Sequence, residues 1–230
     1  MHAPAVNYRE RWRWLAADLR VARCTLATVV VIGIVHGLII ATQSLELYTH
    51  LGLTRAGIGG GKLWQLVTYA FLHGPWWHLA LNAVALLLAG ARVERIGGRS
   101  TFLSVFFTGV VAGGTAQLLL SPAPLKILVG ASGGIFALVL WLVTVSPDSR
   151  MWLLKVSGRS LGIGLLAAEA GLLLAAWLVP ASGLADIGSA CHLSGGIAGW
   201  LLGRRVVGGR QLTREDLLAA RARREASEDS

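Results

Sequence analysis

Six apolar runs, most of them long enough to cross a membrane as a helix, limit the folds open to this chain. A helix crosses the hydrocarbon core in about 20 residues. The sequence is 54% hydrophobic and only 14% charged, whereas soluble domains carry charge on about a quarter of their residues. We therefore predict an all-α membrane protein, a bundle of six transmembrane helices. The runs cover residues 24–44, 76–91, 101–121, 131–145, 161–180 and 187–202.

Basic residues are concentrated in alternate segments between these runs. Of the 21 lysines and arginines, 18 fall before the first run, after the second, after the fourth or after the sixth. Cytoplasmic loops are enriched in Lys and Arg, so this distribution predicts that both termini are cytoplasmic. We divide the chain into a cytoplasmic N-terminal segment (1–23), a six-span membrane domain (24–206) and a cytoplasmic tail (207–230). The Arg-rich N-terminal segment does not predict a cleavable signal peptide.

The net charge of +9 does not predict a nucleic-acid partner, because the basic residues lie in tails and loops between apolar runs. Cys24 and Cys191 form neither a disulfide framework nor a metal-ligand spacing, and we expect no metal and no cofactor. The mixed segment 45–75, with its Ala-Gly-Ile-Gly-Gly-Gly stretch, is predicted to be a structured loop near the membrane interface. The composition fits a bacterial inner membrane.

Ser132 stands at the start of the fourth run, between Gly130 and Gly133. A serine in a membrane helix often only bonds a carbonyl of its own helix. Flanking glycines, however, let another helix or a substrate backbone approach closely. Ser132 is therefore a candidate nucleophile, although the pattern alone is equally typical of helix packing.

His192 begins the sixth run and is followed by Gly195 and Gly199 on the same helical face. Gly130 and Gly134 form a second stripe of small residues on the fourth run, and we expect the two stripes to pack together. Spans four and six both enter from the outer side, so the histidine and the candidate nucleophile lie at similar depth. For a lone histidine, packing near the interface would be the more common role.

His78 and Asn82 lie four residues apart, early in the second run. Both side chains can donate hydrogen bonds to a developing oxyanion, although either alone is as often a partner of loop backbone. His73 is expected to organise the preceding loop. Glu169 is the only carboxylate well inside a span, and we expect it near mid-membrane, too deep to join the others. The sequence thus predicts a Ser–His dyad without a carboxylate.

Taken in order, these features resemble the rhomboid family of intramembrane serine proteases. The resemblance covers residues from about 63 to 203 and rests on His73, the His78/Asn82 pair and Glu94 in the following loop, then on the motifs at 130–133 and 192–199. It implies a six-helix bundle around a water-filled cavity that opens outward. Ser132 would be the nucleophile and His192 the general base, and the oxyanion hole would comprise His78, Asn82 and the Ser132 amide.

Two positions depart from the family pattern. Phe136 stands where the family often has a tyrosine on the catalytic histidine, so stacking could persist without the hydroxyl group. The family often has Trp-Arg in the loop after span one, where this chain has Trp64 and Gln65.

The resemblance implies single-span membrane proteins as substrates, cut near the outer membrane surface. Three other functions are consistent with parts of the pattern. One is an inactive relative that binds transmembrane segments, and another is a rhombosortase-like enzyme that processes C-terminal anchors. The third, a small transporter or channel, would need polar residues through both leaflets, whereas the polar cluster here stops in the outer half, apart from Glu169 and His36.

Overall fold

The computed structural model describes residues 18–121, 127–148 and 156–207. Within these ranges the chain is helical, apart from loops and an isolated antiparallel bridge between Leu53 and Leu128. The predicted segment 1–23 lies mostly, and the tail 207–230 almost entirely, outside the described residues. The helices are α1 (Arg23–Thr42), α2 (Leu45–Leu51), α3 (Arg55–Gly59), α4 (Gln65–Thr68), α5 (Trp76–Ala85), α6 (Ala91–Gly97), α7 (Arg99–Leu120), α8 (Ser132–Val145), α9 (Gly158–Leu178) and α10 (Ser189–Val207).

Every predicted apolar run is helical, and three of the helices are long and apolar enough to cross a membrane: α1, α7 and α9. Helix α8 is apolar but has only 14 residues. At 1.5 Å per residue it is about 21 Å long, shorter than a hydrocarbon core of about 30 Å. By length alone, α8 does not reach across a hydrocarbon core of this thickness.

The second run extends further than the sequence predicted. A π-helical turn at Leu86–Gly90 joins α5 to α6, and the helix ends only where Gly98 adopts a φ of 83°. Glu94, expected in a loop after span two, therefore lies in α6 and is buried. Its carboxylate accepts hydrogen bonds from the backbone N–H groups of Cys24 (3.0 Å) and Thr25 (2.9 Å) at the start of α1.

The segment between α1 and α5 is a structured loop, as predicted, and contains α2, α3, α4 and a 3₁₀ turn at Tyr69–Phe71. Gln65 is fully buried at its centre. Its amide nitrogen donates to the carbonyls of Thr49 (3.0 Å) and His50 (3.1 Å), and its amide oxygen accepts from the Thr54 N–H (3.2 Å). At the position where the family often has arginine, this amide joins three parts of the loop.

Helices α7, α8 and α10 pack closely through small residues. A Cβ on Gly195 would overlap the Gly133 carbonyl, and one on Gly199 would overlap the Ala137 carbonyl, so α10 lies directly on the backbone of α8. The prediction that Gly130 and Gly134 form the stripe that packs on α10 was wrong in its register. Gly134 faces the Phe106 ring of α7 instead of α10, because residues one apart on a helix point about 100° apart.

Candidate active site

Ser132 and His192 meet at the N-terminal ends of α8 and α10. Ser132 is the first residue of α8 and His192 the fourth residue of α10. The Ser132 Oγ atom lies 2.8 Å from the His192 Nε2 atom, within hydrogen-bonding distance. Both residues are half-buried. This geometry allows the imidazole to accept the hydroxyl proton, which is what activates a serine nucleophile.

The turn before Ser132 depends on Gly130. This residue has a φ of 121°, a conformation that residues with a Cβ rarely adopt. Its N–H donates to the Tyr69 carbonyl (3.0 Å), and a Cβ here would come within 2.8 Å of the His78 ring. Gly130 thus brings the α8 start close to α5.

His192 is held by neighbours on two other helices. The Phe136 ring of α8 stacks on its imidazole, with ring centroids 4.6 Å apart and planes within 2°. One residue before it, the Cys191 N–H donates to the buried Gln117 side-chain oxygen of α7 (3.0 Å). The stacking expected from the Phe136 position is therefore present, and the Gln117 contact fixes the first turn of α10.

The expectation that Glu169 is too deep to join the site was wrong. Its Oε1 atom lies 3.0 Å from the His192 Nδ1 atom, on the ring edge opposite Ser132. The expectation judged depth from the position of each residue along its apolar run, which does not show how the helices are displaced along one another. The packing of α9 against α10 thus brings a carboxylate from the middle of α9 to a histidine in the first turn of α10.

His78 and Asn82 lie beside this group, on α5. The Asn82 side-chain nitrogen donates to the His78 carbonyl (2.9 Å), and the Asn82 side-chain oxygen is buried. The His78 ring faces Gly130. Across the described residues, no direct hydrogen bond joins either side chain to Ser132, so the structure places the two α5 residues next to the dyad without connecting them to it.

His73 lies in the loop, with its ring centroid 5.2 Å from that of His78. Burial, followed by the charges of His78 and His36, lowers the pKa of His73 to about 4. A neutral imidazole at this position fits a role in packing the loop.

The N-terminus of α8 adds backbone donors at the same point. The first N–H groups of a helix have no acceptor within the helix and carry the positive end of its dipole. The Ser132 N–H is one of these. In the described ranges, no group of three His, Cys, Asp or Glu residues is arranged to hold a metal ion.

Three residues of the site were missed or rejected at the level of sequence: Glu169, Gln117 and Tyr69. The Tyr69 hydroxyl donates to the Val110 carbonyl (2.7 Å) and lies 3.5 Å from the Cys191 sulfur. A carboxylate inside an apolar span was a visible signal for Glu169. Gln117 was likewise a polar side chain inside an apolar run, but its partner, a backbone N–H of another helix, could not be read from the sequence, and Tyr69 carried no signal.

Comparison with known proteins gives one consistent family. A family model described as the Rhomboid domain matches residues 60–208. The rhomboid protease GluP of Bacillus subtilis is 35% identical over 104 residues, which are 45% of this chain and 20% of that protein. Mouse rhomboid-related protein 2 is 29% identical over 149 residues, 63% of this chain and 48% of its own length. The putative rhomboid protease YdcA of Bacillus subtilis is 33% identical over 82 residues, 36% of this chain and 41% of that protein.

The matched segments span between about a fifth and a half of the length of these relatives. The family match nevertheless covers more than half of this chain and includes α4 to α10. Together with the apolar helices of this chain, the match identifies an integral membrane protein. The chain belongs to the rhomboid family.

Proposed function

We propose that this chain is an intramembrane serine endopeptidase that cleaves single-span membrane proteins near the outer membrane face. The observation that carries the proposal is the 2.8 Å contact between the Ser132 hydroxyl and the His192 imidazole. This contact lies at the start of two apolar helices, where a nucleophile and its base would meet a substrate already in the bilayer. The two Bacillus subtilis relatives, GluP and YdcA, are both named as rhomboid proteases, and this supports the same activity.

In the proposed reaction, a substrate helix unwinds near the dyad, because a regular helix keeps its carbonyls in internal hydrogen bonds. Ser132 Oγ attacks an exposed carbonyl carbon while His192 Nε2 takes the hydroxyl proton. The same imidazole then protonates the leaving amine as the peptide bond breaks. Water from the outer side hydrolyses the acyl-enzyme, and His192 again accepts and returns a proton.

The oxyanion would be stabilised by donors around the α8 N-terminus. The Ser132 N–H supplies one, and the His78 imidazole and the Asn82 amide supply candidate side-chain donors. In the free enzyme the Asn82 amide is bonded to the His78 carbonyl. Its contribution therefore requires a small rotation on substrate binding, as is common for catalytic hydrogen bonds in free enzymes.

The membrane arrangement belongs to the same proposal. Six spans, with both termini cytoplasmic, place the N-terminal ends of α5, α8 and α10 on the outer side, as the distribution of basic residues predicts. The domain division at 23/24 and 206/207 and a bacterial inner membrane are part of this arrangement.

The test is cleavage of a model single-span substrate by the purified protein in detergent. Ser132→Ala and His192→Ala should each abolish cleavage and labelling by a fluorophosphonate probe. The first removes the hydroxyl group that attacks, and the second removes the imidazole that accepts its proton. Ser100→Ala, which changes an exposed serine at the start of α7, is the control and should retain full activity. Cleavage that survives Ser132→Ala would overturn the assignment.

The same experiment separates the alternatives. A member of the family that binds transmembrane segments without cutting them would leave both the substrate and the probe unreacted in the wild type. A rhombosortase-like enzyme would be active but restricted to substrates with a C-terminal anchor. Profiling of cleaved peptides therefore decides between the two proteolytic functions.

A further inference from the structure

We propose that Glu169 is a positioning residue for His192, so that the Ser132–His192 dyad becomes part of a Ser–His–Glu triad. The inference rests on the proposed function and extends it to a third side chain. The three groups form a line: Ser132 Oγ lies 2.8 Å from His192 Nε2, and His192 Nδ1 lies 3.0 Å from Glu169 Oε1.

The carboxylate selects the tautomer of the imidazole. An ionised carboxylate only accepts hydrogen bonds, so a contact with Nδ1 requires that the proton of neutral His192 sits on Nδ1. The lone pair then sits on Nε2, facing the Ser132 hydroxyl. This is the tautomer in which the histidine can take the serine proton.

The carboxylate also balances the charge that forms in the reaction. When Nε2 takes the proton from Ser132, the imidazole becomes a cation, and its Nδ1–H continues to donate to Glu169. No proton passes to the carboxylate. A buried cation without a nearby anion is strongly disfavoured, so the same contact that orients the ring stabilises its charged form.

The contact between Glu169 and His192 is buried, which indicates a role beyond neutralising the charge of Glu169. The Glu169 side chain is only 11% exposed and that of His192 only 15%. Around it, α9 exposes apolar residues such as Ile163, Leu174 and Trp177. A carboxylate on such a helix is costly in a membrane, and among the described residues its ion-pair partner is His192.

In the part of the chain that the structure describes, two other carboxylates are buried, and they have different partners. Asp18 pairs with Arg92 and Arg95, and Glu94 binds the start of α1. Both belong to the opposite end of the bundle from the Ser132 site, near the predicted cytoplasmic loops. Glu169 is thus the buried carboxylate that lies against the active-site histidine.

The test compares Glu169→Gln and Glu169→Leu with the wild type in the cleavage assay. Gln keeps the size of the side chain, and Leu keeps most of its volume. Each variant should lower kcat by at least about tenfold and change KM little, as expected for a group that orients a catalytic base. The control is Glu46→Gln, an exposed carboxylate of α2, which should be fully active with the same thermal stability.

A second measurement does not depend on turnover. The ¹⁵N chemical shifts of the His192 ring, assigned with His192→Ala, should show the Nδ1–H tautomer in the wild type and lose that preference in Glu169→Leu. An unchanged tautomer, or a fall in kcat of less than about tenfold in a well-folded Glu169→Leu variant, would overturn the inference. Either result would leave the proposed function standing if Ser132→Ala is inactive, whereas an inactive wild type would count against the proposed function alone.

Discussion

At the scale of single residues, the site depends on a few backbone positions as much as on its reactive side chains. Gly130 illustrates this, because it has no functional group and yet holds the turn that precedes Ser132. Its positive φ and the nearby His78 ring both oppose a side chain. The steric requirement comes from a residue 52 positions earlier in the chain.

Gly130→Ala should therefore remove most of the activity and lower stability only moderately. The strained φ costs about 1–3 kcal/mol, and the new Cβ would displace His78 from the oxyanion site. Gly61→Ala is the matched control, since Gly61 also has a positive φ (83°) but has open space around its Cβ position. Thermal melts and cleavage rates of both variants check this: equal losses of activity would contradict the assigned role of His78.

The contact between Ser132 and His192 was predicted from the sequence, whereas the contact of Glu169 with the same histidine was not. Ser132 and His192 were recognisable because each stands among glycines near the same end of its run. Glu169 was visible as an intramembrane carboxylate but was assigned to the wrong depth. Depth was inferred from position along each run, and this position does not show which residues of neighbouring helices come into contact.

At the scale of helices, the contact between α8 and α10 sets the distance between the proposed nucleophile, Ser132, and its proposed base, His192. Gly195 and Gly199 allow the α10 backbone to lie on the carbonyls of Gly133 and Ala137. In a membrane, such close packing replaces the hydrophobic effect as the source of helix association. A change at this interface should act on both stability and activity.

Gly199→Ala should destabilise the protein by about 1–3 kcal/mol, the usual cost of overpacking a close contact. The Ala137 carbonyl that the new Cβ meets is backbone and cannot turn away, so α10 would shift and move His192 from Ser132. Gly171→Ala on α9 is the control, because nothing lies within 4 Å of its Cβ position. It should be neutral or slightly stabilising. Chemical denaturation in detergent and cleavage assays measure both effects, and similar behaviour of the two variants would contradict this packing.

Glu94 performs a different task for α1, which begins without a capping side chain of its own. The carboxylate accepts from the N–H groups of Cys24 and Thr25 and from the Thr25 hydroxyl (3.0 Å). It therefore acts as an N-cap supplied by another helix. This contact joins α1 to α6 at the side away from Ser132.

Glu94→Ala should lower stability by about 1.5–3 kcal/mol, the range for hydrogen bonds to a charged group. Activity at low temperature should be kept, because the change lies far from the dyad. Glu46→Ala removes an exposed carboxylate from the first turn of α2 and should cost less than about 1 kcal/mol. Thermal unfolding of the two variants provides the comparison, and an equal loss of stability would argue against the capping role.

At the scale of the whole molecule, orientation in the membrane decides which substrates can reach the site. The proposed arrangement places the loop with α2 outside and the α6–α7 turn in the cytoplasm. Cysteines introduced as Glu46→Cys and Ser100→Cys, both at exposed positions, report on these two sides. In intact cells an impermeant maleimide should label the first variant and not the second, with the parent protein as background. The reverse pattern would contradict the proposed topology.

The sequence by itself determined the helical architecture and the candidate dyad. Helices follow from local information, since apolar length and glycine or proline boundaries lie within each run. The structured loop was likewise predicted from its mixed composition, although the buried Gln65 amide that organises it was not identified as such.

Only the tertiary structure decided the depth of each helix end, the register between helices and the partners of polar groups. It extended α5 through a π turn into α6 and placed Glu94 in α6 instead of a loop, with its carboxylate at the start of α1. It also brought Glu169 to His192. These features depend on how far each helix slides and rotates against its neighbours. Packing across the bundle sets these displacements and rotations, and no single run of the sequence encodes them.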